Sequence, residues 1–367
     1  MNRIAAFLAI TVVIVALPTA VVPSPTTAQS ATPADCSFPF SKTDATGTKV
    51  VVKNEPKDIV ALQASTAQIL WEIGAKENVV GMPVAPYTAY LNGSKQKTDI
   101  LTRKANVKIE TVVSLNPDIV IAPDSISDKA IQKLRAAGLT VYKFGTADSI
   151  EDIYQRTRRI GRLVGACEGA QQTVSAMKTR IHTIEQAVAN TDEPRVLYYF
   201  YNFTAGKGTF LNDVIQTAGG DNIATNAGIE GFAKISKEVI IQRNPQWIVV
   251  PNDASVPSGP AVAGTTAVKK NQTFTVNASY MNQPAPRVIF VLTKLARKFH
   301  PDAMADVNIQ NTSIGPAPVD VTDQTPTEMA DTGTATAQET AATGPGFGVV
   351  AAAVALVAGA LFVRTRR

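Results

Sequence analysis

The stretch Glu110-Thr-Val-Val-Ser-Leu-Asn-Pro117-Asp-Ile-Val-Ile-Ala-Pro123 recurs as Glu238-Val-Ile-Ile-Gln-Arg-Asn-Pro245-Gln-Trp-Ile-Val-Val-Pro251. The Glu, the Asn and both Pro keep their offsets, and the apolar positions between them are nearly all Val or Ile. Each copy reads as a short helix opened by Glu, ended at Pro117 or Pro245, and followed by an apolar strand. A repeat of this length without a gap predicts two halves of similar build. The chain of 367 residues has room for two such halves, each with its own core.

Working outward, the first half reads as strands over 58–62, 79–84, 118–122 and 139–144 alternating with helices. The spacing Ser65-Thr-Ala-Gln68 fits a capping box for the first helix, which stops at Gly74. Ser127 and Ser149 precede further helices. Gly165, Cys167 and Gly169 interrupt the helical pattern, and a helix over 170–189 follows, long enough at about 30 Å to join two lobes. The second half repeats the order: a strand from Arg195, a helix opened by Thr209, the second copy of the repeat capped by Ser236, a strand over 273–276 and a helix ending before Pro301. Strands buried on both faces and alternating with helices predict parallel sheets in α/β lobes.

The ends have a different character. Residues 1–28 carry Arg3, an apolar run and then small residues, as a secretory signal does, with cleavage expected near Ala28 and Ala20 as the alternative. Residues 29–55 form an N-terminal extension. Residues 305–344 are rich in Thr, Ala, Pro and acidic side chains, which predicts a disordered stalk. Residues 345–367 combine Pro345-Gly346-Phe347, an apolar run and a basic end. They read either as a membrane helix or as a sorting tail, and both place the body outside the membrane. Between the ends lie a first lobe over 56–150, a helical connector over 151–190 and a second lobe over 191–304. Four of the 35 basic residues lie in the terminal segments, which leaves 31 against 30 acidic ones. Without a basic patch interleaved with aromatics, nucleic acid is not an expected partner.

Cys36 and Cys167 are the only cysteines, and in an exported protein an even count predicts one disulfide. Sequons at Asn92, Asn202, Asn271, Asn277 and Asn311 permit glycosylation. His182 and His300 lie far apart and beside no nucleophile motif, so neither a metal centre nor an enzyme is expected. Aromatic residues instead follow the strands. In open α/β sheets ligands bind outside the carboxyl ends of strands. Tyr87, Tyr90 and Asp124 are therefore expected to line a cleft from the first lobe. Tyr201, Phe203, Phe232 and Tyr280 are expected to line it from the second.

From about 56 to 304 the chain resembles the substrate-binding proteins of ABC importers for cobalamin, ferric siderophores and haem. The match is carried by Glu55-Pro56 with Ile59-Val60, Leu70-Trp-Glu-Ile-Gly74, both Glu-to-Pro repeats, Gly208-Thr-Phe210, Ala218-Gly-Gly-Asp-Asn-Ile-Ala224 and Leu295-Ala-Arg-Lys-Phe-His-Pro301. The resemblance implies two Rossmann-like lobes joined by a long backbone helix, with the ligand in the cleft between them. It also implies a monomer that docks on the permease through one Glu on each lobe, by position Glu110 and Glu238. Cobalamin is the expected ligand, with a ferric siderophore or haem as the alternative. No cofactor beyond that ligand is expected. The C-terminal tail resembles the PGF-CTERM sorting signal of archaeal surface proteins, which implies anchoring on the outer face of the membrane. A surface enzyme or an adhesion protein on the same fold is the rival reading.

Overall fold

The computed structural model describes residues 36–309 and Ile314; the expected signal, most of the stalk and the anchor lie outside the described residues. The elements run β1 (Phe40–Thr43), β2 (Lys49–Val52), β3 (Ile59–Ala61), α1 (Ala64–Glu72), β4 (Val79–Met82), β5 (Thr98–Asp99), α2 (Ile109–Ser114), β6 (Ile119–Ala122), α3 (Asp128–Ala136) and β7 (Val141–Lys143). Two helices follow, α4 (Ile150–Val164) and α5 (Cys167–Val188). The second half holds β8 (Arg195–Tyr198), β9 (Phe203–Ala205), α6 (Phe210–Thr217), β10 (Asp221–Asn222), α7 (Ile223–Asn226), β11 (Phe232–Lys234), α8 (Lys237–Arg243) and β12 (Trp247–Pro251). It closes with α9 (Pro260–Ala263), α10 (Thr266–Lys269), β13 (Thr273–Val276), α11 (Ala278–Met281) and α12 (Val288–Phe299).

The first lobe is a parallel sheet in the order β5-β4-β3-β6-β7, and the second a parallel sheet in the order β10-β8-β12-β13. The apolar runs of the repeat, β6 and β12, are interior strands of each sheet. Along β3 and β6 the side chains alternate between two cores. Ile59, Ala61, Ile119 and Ile121 pack on the α1, α4 and α5 side. Val60, Leu62, Val120 and Ala122 pack on the α2 and α3 side. The second lobe divides the same way, with Val196, Tyr198 and Val249 on one face and Leu197, Ile248 and Val250 on the other. A strand covered on both faces needs an apolar side chain at every position, which is why these runs do not alternate with polar residues.

Local signals set most helix starts. Ser127, Ser149, Thr209 and Ser236 each accept a hydrogen bond from the backbone N–H three residues on. In the repeat, Asn116 and Asn244 adopt left-handed backbone, with φ of 45° and 43°. Asn tolerates that conformation better than other side chains with a Cβ, so it turns the helix off just before the proline. The first helix differs from expectation. Its N-cap is Gln63, not a residue of the Ser65–Gln68 pair, and Gln68 is fully buried. Helix α1 starts at Ala64, earlier than the capping spacing implied, so Ser65 falls inside the helix and Gln68 turns toward the other lobe.

The helix α5 carries the chain between the lobes. At 22 residues it spans about 33 Å. Its Ala170 packs in the first lobe, and Val174, Met177, Ile181, Ile184 and Val188 pack in the second. Helix α4 returns along it, from Ile150 and Ile153 in the second core to Ile160, Leu163 and Val164 in the first. Gly165 in left-handed conformation ends α4. Gly169, expected as a break, is inside α5 and is needed for contact: a Cβ there would lie 2.1 Å from the Ile73 carbonyl oxygen.

The extension has structure of its own. The antiparallel hairpin β1–β2 is tied at its start by the disulfide Cys36–Cys167, with Cα atoms 5.9 Å apart across 131 residues. Its turn is organised by Asp44, whose side chain is wholly buried. One carboxylate oxygen accepts from Thr46 and Thr48, and the other from Arg135 at 2.5 Å and the Lys143 amide at 2.9 Å. Burial opposes ionisation of Asp44, but these donors outweigh it and hold the carboxyl below the usual range. Asp44→Ala takes away the charged acceptor of Arg135 and the acceptor of the Thr46, Thr48 and Lys143 amides, and should destabilise the fold by about 2 kcal/mol in urea titration. Because the folded-state pKa is depressed, this contribution is present above the ordinary aspartate pKa and is lost as the pH falls through the lowered value. The gap between the native protein and Asp44→Ala should therefore close only below about pH 4.

Candidate functional site

In each sheet the strand order reverses at one place, between β3 and β6 in the first lobe and between β8 and β12 in the second. Loops leaving neighbouring strands there depart to opposite faces and open a crevice at the carboxyl ends. In the first lobe this crevice is edged by half-buried Gln63 and by Asp124 and Ser125, the last within 3.5 Å of the Gln63 amide nitrogen. Arg156 of α4 lies behind it: its guanidinium donates to the Gly145 carbonyl and sits 5.4 Å from the Phe144 ring centre. Burial lowers the Arg156 pKa, and Asp124 acts against that shift.

In the second lobe β8 runs into a tight turn. Tyr201 and Asn202 both have positive φ, 49° and 68°. Phe200 and Phe203 exchange backbone hydrogen bonds across the turn, and the Tyr199 hydroxyl donates to the Asn202 side chain at 2.6 Å. The turn leaves Tyr201 41% exposed, with its hydroxyl donating to the Asp253 carbonyl past the end of β12. Burial and the nearby Asp253 raise its pKa. Phe203 and Phe232 gather around Phe200, with ring centres 6.2 and 6.3 Å from it. β9 and β11, which carry Phe203 and Phe232, pair as a small antiparallel ribbon not anticipated from the sequence.

The remaining candidates divide. Tyr87 lies in a short turn after β4 and is 37% exposed. Burial and the charge of Asp99 raise its pKa. Among the described residues, the exposed large apolar side chains are Val51, Tyr87, Tyr201 and Ile241, so two of them stand on the loops that follow the strands of the two lobes. Tyr90 and Tyr280 instead meet each other edge to face, with ring centres 5.2 Å apart, and both flank Arg287. Burial raises the Tyr90 pKa well above the usual range. Gln63, Gln283 and Arg287 had no sequence signal of their own, and the signal at Gln68 was that of a helix cap. Gln63 could have been found only by knowing where the strand order reverses.

Glu110 and Glu238 are exposed in the first turns of α2 and α8. Neither forms an ion pair with a described residue within 4 Å. A backbone amide and the Ser236 hydroxyl lower the Glu238 pKa, so the side chain is a carboxylate at neutral pH. Of the histidines, His182 is exposed on α5, and His300 is buried with a ring nitrogen 3.0 Å from the Gly219 carbonyl oxygen. Among the described residues, no group of three or more His, Cys, Asp or Glu is placed to hold a metal ion. No helix among them is long and apolar enough to cross a membrane.

Residues 59–280 match the periplasmic binding protein family. The chain is 36% identical over 279 residues to a cobalamin-binding protein of Halobacterium salinarum, covering 72% of this chain and 75% of that one. It is 29% identical over 282 residues to an uncharacterized ABC transporter substrate-binding lipoprotein of Bacillus subtilis, covering 73% and 88%. A periplasmic haem-binding protein from Roseiflexus, solved in apo form, superposes with a TM-score of 0.61 at 25% identity, covering 67% of this chain and 99% of its own. The Helicobacter pylori CeuE nickel–histidine complex does so with a TM-score of 0.62 at 19% identity, covering 74% and 91%, which is a likeness of fold. On the strength of the matched span and of the halobacterial relative, the chain belongs to the periplasmic binding protein family.

Proposed function

We propose that this chain is the extracytoplasmic substrate-binding component of an ABC importer, and that it captures cobalamin in the cleft between its lobes. The observation that carries this reading is the pair of exposed tyrosines, Tyr87 and Tyr201, on the loops after the parallel strands of the two lobes. Exposed rings on the loops at the strand ends of both lobes would suit a large, flat, partly apolar ligand. Asp124, Phe203 and Phe232 complete the proposed contacts, and Gln63 adds an amide at the first crevice. A corrin ring carries amides on its edge, which suit carbonyl and amide partners. Ferric haem would ask for an iron ligand and cations for its carboxylates. His182 and His300 stand elsewhere, burial disfavours the tyrosinate form of Tyr87, and Arg287 is paired with Glu72. The fold shared with haem-binding structures keeps haem or a ferric siderophore as the second reading. Release to the permease would follow docking through Glu110 and Glu238, without covalent chemistry, from a chain tethered by its C-terminal tail.

Thermal unfolding of residues 36–309 with cyanocobalamin, haemin and a ferric hydroxamate or catecholate tests this. A ligand that binds only the folded state at about a hundred times its dissociation constant stabilises it by about 2.7 kcal/mol. Cyanocobalamin should raise the melting temperature by several degrees, and the iron chelates should raise it less. A larger rise with haemin would replace cobalamin by the second reading. No rise with any of them would remove the transport reading.

A further inference from the structure

A second attachment joins the lobes beside α5. Glu72 at the end of α1 and Arg287 just before α12 are both buried, and the Arg287 Nε donates to Glu72 Oε1 at 2.6 Å. One turn earlier, the Gln68 side chain accepts from the Arg287 amide at 2.8 Å and donates to Gln283 at 3.2 Å and to the Tyr90 hydroxyl at 2.7 Å. The Tyr90 hydroxyl donates on to Gln283 at 3.0 Å, and Gln283 donates to the Tyr87 carbonyl at 3.3 Å. The guanidinium of Arg287 lies 4.9 Å from the Tyr90 ring centre and 5.7 Å from that of Tyr280. Gln68, Glu72 and Tyr90 belong to the first lobe, and Tyr280, Gln283 and Arg287 to the second.

This network is complete. Among the described residues, Arg243 Nε is the buried side-chain nitrogen or oxygen without a hydrogen-bond partner, and it lies elsewhere. The cluster is also braced from behind, since the Thr173 hydroxyl of α5 donates to the Glu72 carbonyl at 3.0 Å. Burial raises the Glu72 carboxyl above the usual range and Arg287 acts against the rise. A buried ion pair is weak as a source of stability but demanding in geometry, because separating the two charges leaves each desolvated and unpaired. Two lobes joined only along α4 and α5 could pivot about that line. A rigid contact beside it removes the pivot.

We propose that Glu72 and Arg287 are positioning residues: they lock the angle between the lobes, and through Gln283 they hold the Tyr87 loop, so that the cleft is preformed before ligand arrives. Tyr90 and Tyr280 then serve the lock rather than the cleft wall. The consequence for ligand builds on the proposed function, whereas the lock itself does not.

Spin labels at Lys129→Cys on α3 and Lys269→Cys on α10, with the Cys36–Cys167 bridge kept oxidised, report the distance between lobes by pulsed electron resonance without ligand. The native background should give one narrow distance, and Glu72→Gln or Arg287→Met a broad one. A broad native distribution, or a narrow one in both folded variants, would overturn the lock. Glu72→Met combined with Arg287→Met removes both charges together, covers the case in which the single variants do not fold, and should also broaden the distance; a narrow distance in it would overturn the lock. Gln283→Ala leaves the ion pair in place. It should keep the narrow distance and release cyanocobalamin about tenfold faster, the equivalent of one lost hydrogen bond to a positioned loop. An unchanged release rate in a Gln283→Ala protein that binds cyanocobalamin would overturn the role in holding Tyr87. If cyanocobalamin does not bind at all, the proposed function fails while the distance measurement still decides the lock.

Discussion

Glu110→Arg combined with Glu238→Arg should abolish ligand uptake by the importer while leaving ligand affinity in solution unchanged. Both carboxylates are exposed on separate lobes, and neither is engaged with a described cation within 4 Å. The Ser236 hydroxyl and a backbone amide keep Glu238 ionised. A permease with a matching cation for each would read both lobes at once, and charge pairs give orientation as well as attraction. Reversal replaces attraction by repulsion at both places. Truncating one partner of a hydrogen-bonded charge pair at an interface weakens association by about 2 kcal/mol or more, roughly thirtyfold, so the loss of both should reduce uptake by about a thousandfold. Either single reversal should fall between. Uptake assays in cells, with the dissociation constant measured on the purified variant, separate transport from binding. Normal uptake by the double variant would remove the docking role, and a matching fall in affinity would show that the substitutions had damaged the cleft instead.

Among the described residues, Gly169→Ala should be one of the two most damaging additions of a single methyl group, with Gly206→Ala. A Cβ at Gly169 would stand 2.1 Å from the Ile73 carbonyl oxygen and 2.8 Å from its carbonyl carbon. Backbone cannot rotate aside as a side-chain tip does, and Ile73 is the C-cap of α1, held by its bond to the Ile69 carbonyl. On the neighbouring helix, a Cβ at Gly161 would meet the Ala170 methyl at 2.5 Å. Helices α1, α4 and α5 therefore approach one another through small residues where the connector enters the first lobe. We expect a loss of about 3 kcal/mol or more, and a fall in melting temperature on the order of 10 °C. Gly138→Ala is the control. Gly138 has a φ of 90° but open space around it, so the cost there is backbone strain alone, about 1 kcal/mol. Equal losses at the two sites would show that α5 can move away from α1.

Much of the fold was legible because its signals are local. A run such as Ile119–Ala122 or Ile248–Val250 is apolar at every position because both faces of a central parallel strand are covered. The serine and threonine caps act over three residues, and the Asn-Pro pair of the repeat stops each helix from within. The loops after the strands followed from strand direction, and with them the placement of Tyr87, Tyr201 and Asp124. The disulfide followed from having two cysteines in a chain whose N-terminus reads as a secretory signal, and Cys36 and Cys167 are bonded.

Other features depended on partners distant in the chain. Gln68 and Glu72 occupy helix positions where polar residues ordinarily face water, and their partner Arg287 lies more than 200 residues later. That separation also misdirected the capping assignment, because Gln68 next to Ser65 has the local form of a cap while its amide is used across the lobes. Tyr90 and Tyr280 each looked like cleft aromatics, and only their approach to Arg287 shows them joined in one cluster. Gly169 looked like a helix break because nothing within α5 reveals that Ile73 lies against it. By itself the sequence determined the interior strands of the two parallel sheets, most of the caps, the duplicated order and the pair of glutamates at equivalent places. Tertiary structure decided which polar side chains are buried together and how the lobes are held, because burial and pairing are properties of surfaces that meet only after the chain has folded.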